Sequence, residues 1–274
     1  MRKIAHISDL HFGAIDPLVL VALGKAIRAT APDVVVVSGD LTQRARSSEF
    51  RAARDFLRTL DYPQIVVPGN HDVPLYNLAL RAWQPFRRFQ TYFGTGMTPV
   101  FTDAEIAIVG INTARAATFK DGRVNREQVA EICQVLQHHG PGVTRIVVTH
   151  HPFEGPAAGS RAGSVGRAAM AMQGFSACGI DFILSGHLHT GTVGHTADHY
   201  DIDGYSALMI QAGTASSHRR RTQSNSFNLI QTTGTSATLS VWTWNASQAA
   251  FVLAEQQTFQ KAGGQWHGVA PPPL

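Results

Sequence analysis

Residues Val34–Asp40, with the sequence VVVVSGD, are the most informative part of the chain for its fold. Four consecutive β-branched residues are typical of a strand that is buried on both faces, as in a parallel sheet. The run stops at Ser38-Gly39, and glycine allows the sharp turn that places a carboxylate directly after the strand. Loops at the carboxyl ends of strands gather ligands in α/β sheets. The stretch therefore predicts a buried strand that delivers Asp40 to a site at one sheet edge.

The same arrangement, an apolar run followed by a polar motif, recurs along the chain. The other four runs with their motifs are Ala5–Ile7 before SDLH, Ile65–Val67 before PGNHD, Ile146–Val148 before THH, and Asp181–Leu184 before SGHLH. Helical spacing of apolar residues separates them, at Leu18–Thr30, Ser47–Leu60, Asn125–His138 and Ala168–Cys178. Strands that alternate with helices predict β/α units, with all five motifs at one edge.

The second half of the chain has a different pattern. Short alternating runs between Val193 and Glu255 predict antiparallel strands. We therefore expect an α/β fold, a two-sheet β-sandwich flanked by helices, in a single domain of residues 1–260. Residues 261–274 are expected to form a flexible tail, because Gly263-Gly264 and Pro271–Pro273 favour loose structure at a terminus.

Composition is that of an ordinary globular protein. The 274 residues are 44% apolar and 15% charged, with a formal net charge of +4, so a sizeable core forms without disulfides. Cys133 and Cys178 lie in no metal or redox spacing, and we expect both to be reduced and buried. No leader-like segment precedes the first motif, and no run reaches the roughly 20 apolar residues of a transmembrane helix. We expect a cytoplasmic protein without a dedicated nucleic-acid-binding domain, whose mild positive charge suits a small anionic substrate.

The motifs provide nitrogen and oxygen donors in the number that two divalent ions need when they share one carboxylate. Residues two apart on an extended segment point the same way, which lets each of the pairs Asp9/His11 and His187/His189 face one site. His150, the first residue after its strand, is preferred to His151 as a ligand. The predicted ligands are Asp9, His11, Asp40, Asn70, His150, His187 and His189. A mixed N/O set without cysteine suits Mn, Fe or Zn better than calcium.

His71 has a different predicted role. It cannot easily bind the same ion as its neighbour Asn70, so its ring is free to face a substrate. We predict that His71 is a catalytic proton donor to a leaving alkoxide, and that Asp72 orients its ring or raises its basicity. A structural histidine in a turn is the alternative.

The motif order Asp-x-His, Gly-Asp, Gly-Asn-His-Asp, His and Gly-His-x-His resembles that of the calcineurin-like metallophosphoesterase superfamily, over Ile4–His189. The resemblance implies a four-layer αββα fold and a binuclear centre, in which a hydroxide that bridges the ions attacks phosphorus. It implies one ion held by Asp9, His11, Asp40 and His189, and a second held by Asp40, Asn70, His150 and His187.

A narrower resemblance is to the bacterial cyclic-nucleotide phosphodiesterases of that superfamily. Ser8–His11, Pro68–Asp72 and Gly213–Ala215 carry it, together with Arg221 and Asn225–Phe227. It implies hydrolysis of phosphodiesters, with 3′,5′-cyclic nucleotides as one possible substrate. The alternatives are a phosphomonoesterase, a pyrophosphatase of the UDP-diacylglucosamine type and a non-catalytic scaffold. That pyrophosphatase typically has arginine in place of His71, and scaffolds tend to lose the ligands that this chain keeps.

The predicted substrate contacts are Asn70, His71, Arg115 and Arg221. Arg115 follows a strand that ends at the same edge, and Arg221 closes the basic run 219–221; a surface arginine and a solvated charge run are the alternatives. Residues 73–94 are rich in aromatic residues and arginine. They form either a helix packed on the core or a substrate lid, a dimer contact or a lipid-contacting patch. A homodimer is left open.

Overall fold

Two β-sheets make up the centre of the fold in the computed structural model, which describes residues 1–154, 163–219 and 223–269. The first sheet has the order β13-β12-β11-β10-β1-β2-β3. Its strands are β1 (Arg2–Ile7), β2 (Val34–Ser38), β3 (Gln64–Val67), β10 (Ser226–Thr232), β11 (Ser236–Asn245), β12 (Ala250–Ala262) and β13 (Gln265–Val269). Strands β1, β2 and β3 are parallel, whereas β10 to β13 are antiparallel to their neighbours.

The second sheet has the order β4-β5-β6-β7-β9-β8. Its strands are β4 (Val100–Thr102), β5 (Ile106–Gly110), β6 (Thr144–Val148), β7 (Phe182–Ser185), β8 (Thr192–His195) and β9 (Leu208–Gln211). Strand β9 runs parallel to β7 and antiparallel only to β8. The expectation that every strand after Val193 is antiparallel is therefore wrong for β9, because β9 is inserted between β7 and β8 and pairs in parallel with β7.

Helices cover the outer faces of both sheets. The helices are α1 (Pro17–Thr30), α2 (Ser47–Arg58), α3 (Leu78–Trp83), α4 (Arg87–Phe93), α5 (Arg126–Leu136) and α6 (Ala168–Ala177). Helices α1 and α2 pack on the first sheet, and α5 and α6 pack on the second. The predicted two-sheet sandwich flanked by helices, in four αββα layers, is confirmed. Within the part of the chain that the structure describes, no helix has the length and apolar character needed to span a bilayer.

The valine run in β2 shows why this strand requires β-branched residues throughout. Val35 and Val37 pack against the helical layer, while Val34 and Val36 pack into the core between the sheets. All four are completely buried. Burial of each such side chain contributes about 1.5–3 kcal/mol relative to exposure. The strand thus anchors both apolar layers and fixes the position of the loop that follows it.

The C-terminal segment belongs to the first sheet. Strand β12 ends at Ala262 and pairs with β13 across a turn at Gly263-Gly264. Trp266 is 1% exposed, and its Nε1 donates a hydrogen bond to Asp181 Oδ1 at 2.9 Å. The expected flexible tail from residue 261, and with it the domain boundary at residue 260, is therefore wrong as far as Val269, because the paired glycines form a hairpin turn. Pro271–Pro273 lie outside the described residues.

The two cysteines are also arranged differently from expectation. Cys133 in α5 and Cys178, which follows α6, form a disulfide with their Cα atoms 5.4 Å apart. The prediction that both are reduced is wrong in this structure. The reason is tertiary: α5 and α6 pack side by side and bring together residues 45 positions apart.

Candidate metal centre

The loops that follow β1, β2, β3, β6 and β7 meet at one edge of the sandwich and bring together all seven predicted ligands. Five of the seven residues have left-handed backbone conformations; these are Asp9, His11, Asp40, His187 and His189, with φ between 49° and 76°. Such conformations are unfavourable for residues with a side chain and recur at functional sites, where the surrounding structure holds them in place. The hydrogen bonds from Asp9 N to Gly39 O and from His11 N to Asp40 O, at 3.0 and 2.9 Å, join the first two loops.

One group of donors consists of Asp9, His11, Asp40 and His189. The Nε2 atom of His11 lies 3.2 Å from Nε2 of His189. It lies 3.5 Å from Asp9 Oδ1 and 3.7 Å from Asp40 Oδ2. His189 Nε2 is 3.1 Å from Asp9 Oδ1. Four ligand atoms therefore surround one point.

A second group lies on the other side of Asp40. The Nε2 atom of His150 is 3.1 Å from Asn70 Oδ1 and 3.2 Å from His187 Nδ1. It is 3.4 Å from Asp40 Oδ1. Asp40 thus directs one carboxylate oxygen to each group. This is the arrangement that a carboxylate shared by two cations requires.

Hydrogen bonds at the far side of three histidine rings fix which nitrogen faces the centre. The Nδ1 atom lies 3.3 Å from Thr42 O in His11, 2.6 Å from Arg219 O in His189 and 2.8 Å from Ser38 O in His150. A carbonyl oxygen only accepts, so each Nδ1 carries hydrogen and each neutral ring directs the Nε2 lone pair inward.

Inward-facing lone pairs repel one another unless a cation lies between them. Asp9 Oδ1 is buried beside two of these nitrogens and has no hydrogen-bond partner. Asn70 donates through Nδ2 to Phe119 O at 3.3 Å, which directs its Oδ1 to the same centre. A buried acceptor without a donor is costly, and a metal ion removes that cost. The donor set therefore fits metal ions.

The electrostatics of the centre favour positive charge at the ligand nitrogens. Burial alone would lower the pKa of His150, but Asp40 raises it to about 9. Burial opposes ionisation of Asp40, but His150 and His11 hold the pKa of that carboxyl well below its usual range. Metal binding replaces a proton on such a nitrogen, because the ligand must be deprotonated. The carboxylates thus stabilise positive charge at the centre, whether a proton or a metal cation carries it.

His151 lies close to this centre, but its ring is engaged elsewhere. Its ring centroid is 4.6 Å from that of His187, so it could form a three-histidine group with His150 and His187. Its Nδ1 is 2.8 Å from Thr113 Oγ1, and its Nε2 donates to Lys120 O at 2.8 Å. Both nitrogens have partners, so Asp40 and Asn70 are the better donors to the second group.

Two motif glycines are required because the carboxylate of another loop lies too close for a side chain. A Cβ on Gly69 would overlap with Oδ1 of Asp40 and lie 2.8 Å from its Cγ. A Cβ on Gly186 would lie 2.6 Å from Oδ2 of Asp9. Each glycine therefore lets one loop approach the carboxylate of another, which explains why the Gly-Asn-His-Asp and Gly-His-x-His motifs begin with glycine.

Asp72 does not orient His71, contrary to expectation. Its carboxylate accepts hydrogen bonds from the backbone of Leu41, Thr42 and Gly69 at 2.9–3.1 Å, and from the Thr42 hydroxyl at 2.8 Å. Burial and the nearby Asp40 raise the pKa of Asp72 to about 6. Because these four donors occupy both oxygens, Asp72 joins the loops after β2 and β3.

His71 instead contacts Gln43 and Arg219. Its Nδ1 donates to Gln43 O at 2.9 Å, and its Nε2 accepts from the Arg219 guanidinium at 2.8 Å. Arg219, the member of the basic run that the structure describes, reaches the centre, and the run itself was its sequence signal. Arg221 lies outside the described residues.

The Arg115 side chain is bonded to its own loop and to α5. Its guanidinium donates to Asn112 O at 3.1 Å, Ala114 O at 3.0 Å and Gln128 Oε1 at 2.9 Å. These bonds fasten the loop after β5 to α5. Arg115 thus has a structural role in this loop, and its contact with substrate stays a prediction.

A cavity of about 290 Å³ opens over the two donor groups. Its lining residues are Asp40, Asn70, His71, Lys120, His187, His189 and Arg219. Lys120 and Arg219 contribute positive charge at its rim. The cavity therefore suits a small anion in direct reach of the candidate metal ligands.

The aromatic segment that follows His71 divides into two parts. In α4, Phe89 is buried, with its ring centroid 6.4 Å from that of Phe50 and 5.3 Å from that of Phe93. This part packs on the core. Tyr76 and Trp83 are 72% and 82% exposed, so they remain available for contact with another molecule.

Comparison with known proteins agrees with this geometry. The profile of the family described as calcineurin-like phosphoesterase matches residues 2–191, and the chain belongs to that family. A glycerophosphodiester phosphodiesterase of Enterobacter lignolyticus is 41% identical over 81 residues, 25% of this chain and 29% of the relative. A probable cyclic nucleotide phosphodiesterase of Synechococcus is 24% identical over 160 residues, 55% of this chain and 58% of the relative. The chain spans less than two thirds of either relative.

Solved structures show the same fold. A purple acid phosphatase from yellow lupin superposes with a TM-score of 0.70 at 13% identity, over 94% of this chain and 53% of that one. A dimetal phosphatase from Danio rerio superposes with a TM-score of 0.64 at 13% identity, over 95% of this chain and 99% of that one. Family membership and fold thus agree with a chain whose residues are positioned to bind metal ions.

Proposed function

We propose that the protein hydrolyses phosphodiesters with two divalent ions, one in each donor group. The observation that carries the proposal is the position of Asp40, whose two oxygens lie 3.7 Å from His11 Nε2 and 3.4 Å from His150 Nε2. One carboxylate between two sets of inward-facing lone pairs matches the needs of a binuclear centre. The donors are nitrogen and oxygen only, which suits Mn, Fe or Zn.

Bound ions would lower the pKa of a water molecule between them and stabilise the charge that develops on phosphorus oxygens. Side chains of the protein bind and orient the substrate. Arg219 and Lys120 at the rim of the cavity bind phosphoryl oxygens, and the Asn70 amide adds a polar contact. Charge-assisted hydrogen bonds of this kind are about twice as strong as neutral ones.

His71 is the proposed proton donor to the leaving alkoxide. Burial lowers the pKa of His71, and Nε2 accepts a hydrogen bond from Arg219. Nε2 therefore becomes free to take up and pass on a proton only after Arg219 turns away. A substrate phosphoryl group is the anion that draws Arg219 from the ring, so substrate binding and release of His71 are coupled.

We propose diesters and not monoesters as the substrates because the relatives that match part of the chain are named for diesters. Those names are glycerophosphodiester phosphodiesterase and probable cyclic nucleotide phosphodiesterase. A 3′,5′-cyclic nucleotide is one diester to be tested; a phosphomonoester is the alternative substrate.

The test is hydrolysis of bis-p-nitrophenyl phosphate, p-nitrophenyl phosphate and 3′,5′-cyclic AMP by Mn²⁺-loaded protein. We expect turnover of the activated diester, and its loss in Asp40→Ala. Preference for the monoester would favour the alternative. Diester turnover without cleavage of cyclic AMP would keep the reaction and exclude that nucleotide. Absence of all three activities in protein that metal analysis shows to be loaded would overturn the proposal.

A further inference from the structure

A second cavity of about 400 Å³ adjoins the one over the metal ligands. Its lining residues are Gly13, Ala14, Gln43, Arg44, Arg46, Glu49 and Arg219. Arg219 belongs to the lining of both cavities. A ligand whose phosphoryl group lies over the donor groups can therefore extend past Arg219 into the second cavity.

The second cavity is basic. Glu49 supplies its one carboxylate, which accepts hydrogen bonds from the backbone nitrogens of Arg44 and Arg46 at 2.8 and 3.2 Å. The charge of Glu49 is thus engaged at the start of α2, and the guanidinium groups remain for other partners. The Arg44 guanidinium lies 5.7 Å from the centroid of the Tyr76 ring. Within residues 1–154, 163–219 and 223–269, no carboxylate lies within ion-pair distance of Arg44, Arg46 or Arg219.

The position of His71, the proposed proton donor, indicates which part of the substrate lies in this cavity. His71 separates the two spaces: its Nε2 accepts from Arg219, and its Nδ1 donates to the carbonyl oxygen of Gln43. Both partners line the second cavity. An alkoxide that takes its proton from His71 leaves phosphorus on this side. The departing alcohol, and not the retained ester group, is therefore the part of the substrate that lies among the arginines.

We propose that the second cavity binds the leaving alcohol and selects phosphodiesters in which that alcohol carries a carboxylate or a second phosphate. The inference rests on the proposed function and specifies its substrate class. In the reaction, water adds to phosphorus, the bond from phosphorus to the alcohol oxygen breaks, and that oxygen takes a proton. Arg44 and Arg46 hold the anionic group of the alcohol throughout.

A matched pair of substrates tests this inference. Methyl 3-carboxyphenyl phosphate and methyl 3-carbamoylphenyl phosphate have the same retained group and leaving phenols of similar size, one anionic and one neutral. We expect kcat/KM of the wild-type protein to favour the carboxylate by about tenfold, the effect of one added hydrogen bond to a charged group. The inhibition constants of both esters against bis-p-nitrophenyl phosphate compare their binding directly and require no turnover of the esters themselves.

Substitutions test whether the arginines of the second cavity cause the preference for the carboxylate ester. The double variant Arg44→Gln/Arg46→Gln should bring the ratio close to one. Arg51→Gln/Arg58→Gln removes the same charge from exposed positions of α2 and should keep the ratio. Equal values for the two esters in the wild-type protein, or a ratio that falls equally in both double variants, would overturn the inference while hydrolysis of bis-p-nitrophenyl phosphate persists. Loss of that hydrolysis in the wild-type protein would instead overturn the proposed function.

Discussion

Gly69 packs directly against the carboxylate of Asp40, and a Cβ at Gly69 would overlap with Oδ1. The same oxygen accepts a hydrogen bond from His71 N at 2.8 Å and lies 3.4 Å from His150 Nε2. The loop after β3 therefore positions the carboxylate of the loop after β2 through the absence of a side chain. The position of the Asp40 carboxylate, a candidate metal ligand, therefore depends on the glycine at residue 69.

Gly69→Ala should lower metal affinity more than stability. The added methyl group pushes the Asp40 carboxylate away from both donor groups, and loss of such a supporting contact typically weakens metal binding about 10–100-fold. Metal content per chain after dialysis, with the thermal midpoint of the same samples, measures the two effects. Gly96→Ala is the control, since a Cβ there meets no atom within 4 Å. Full metal content in Gly69→Ala would contradict the interpretation.

Substitution of the adjacent residues His150 and His151 should affect metal content differently. His150→Asn removes the nitrogen at the centre of the second group, so we expect it to lose one of two ions and at least about 100-fold in diester turnover. His151→Asn should retain both ions, because its ring is bonded to Thr113 and Lys120. Elemental analysis of the two purified variants decides this. Equal metal loss in both would instead support the three-histidine group.

The sequence predicted which residues meet at the centre because each motif follows a buried strand. Parallel strands of one sheet place their carboxyl ends at one edge, so periodicity and motif order predicted that Asp9 and Asp40 lie together. His150 follows a strand of the second sheet, and its place beside them depends on the two-sheet fold that the family resemblance implies. The hydrophobic runs also predicted both sheets and the four longer helices.

The contacts that the sequence did not predict depend on tertiary packing. The Asp72 carboxylate accepts hydrogen bonds from the backbone nitrogens of Leu41 and Gly69, which lie in two different loops. Arg219 reaches His71 across 148 positions. Cys133 and Cys178 pair because two helices are adjacent. Local spacing predicts none of these three contacts, whereas the candidate metal ligands can be recognised from their motifs.

Trp266→Ala should destabilise the protein by about 3–5 kcal/mol, the usual cost of removing a large buried aromatic side chain. The ring is 1% exposed, packs on Phe182 at 4.9 Å between centroids and donates to Asp181. Urea unfolding of the apo protein measures the change. His267→Ala, at an exposed position of the same strand, should stay within about 0.5 kcal/mol of wild type. A small effect of Trp266→Ala would restore the expectation of a loose tail.

Two aromatic residues of the segment after His71 should behave oppositely. Phe89→Ala leaves a cavity beside Phe50 and Phe93, and we expect a loss of about 3–5 kcal/mol in the free energy of unfolding. Trp83 is 82% exposed, so Trp83→Ala should change stability by less than about 0.5 kcal/mol and leave metal content intact. A shift in the relative kcat/KM for two diesters in Trp83→Ala would then identify a lid. Chemical denaturation and elemental analysis of both variants separate these effects.

His6 should make the folded state sensitive to acid. It is completely buried, its Nε2 lies 2.9 Å from Ser38 Oγ, and burial lowers its pKa to about 3 despite the opposing effect of Asp9. The unfolded chain has the ordinary pKa of about 6.5 and binds the proton more readily. Its contribution to stability is therefore complete above pH 6.5 and decreases as the pH falls toward 3.

Between pH 7 and pH 5 this histidine should lose about 2 kcal/mol of its contribution, from 1.4 kcal/mol for each pH unit below 6.5. Urea unfolding of wild type and His6→Gln, both kept metal-free with a chelator, isolates that loss from the effects of the metal ligands. The difference in unfolding free energy between the two proteins should shrink toward pH 5 by this amount. A difference that stays constant with pH would mean that His6 retains a proton inside the folded protein and that an additional polar partner stabilises it there.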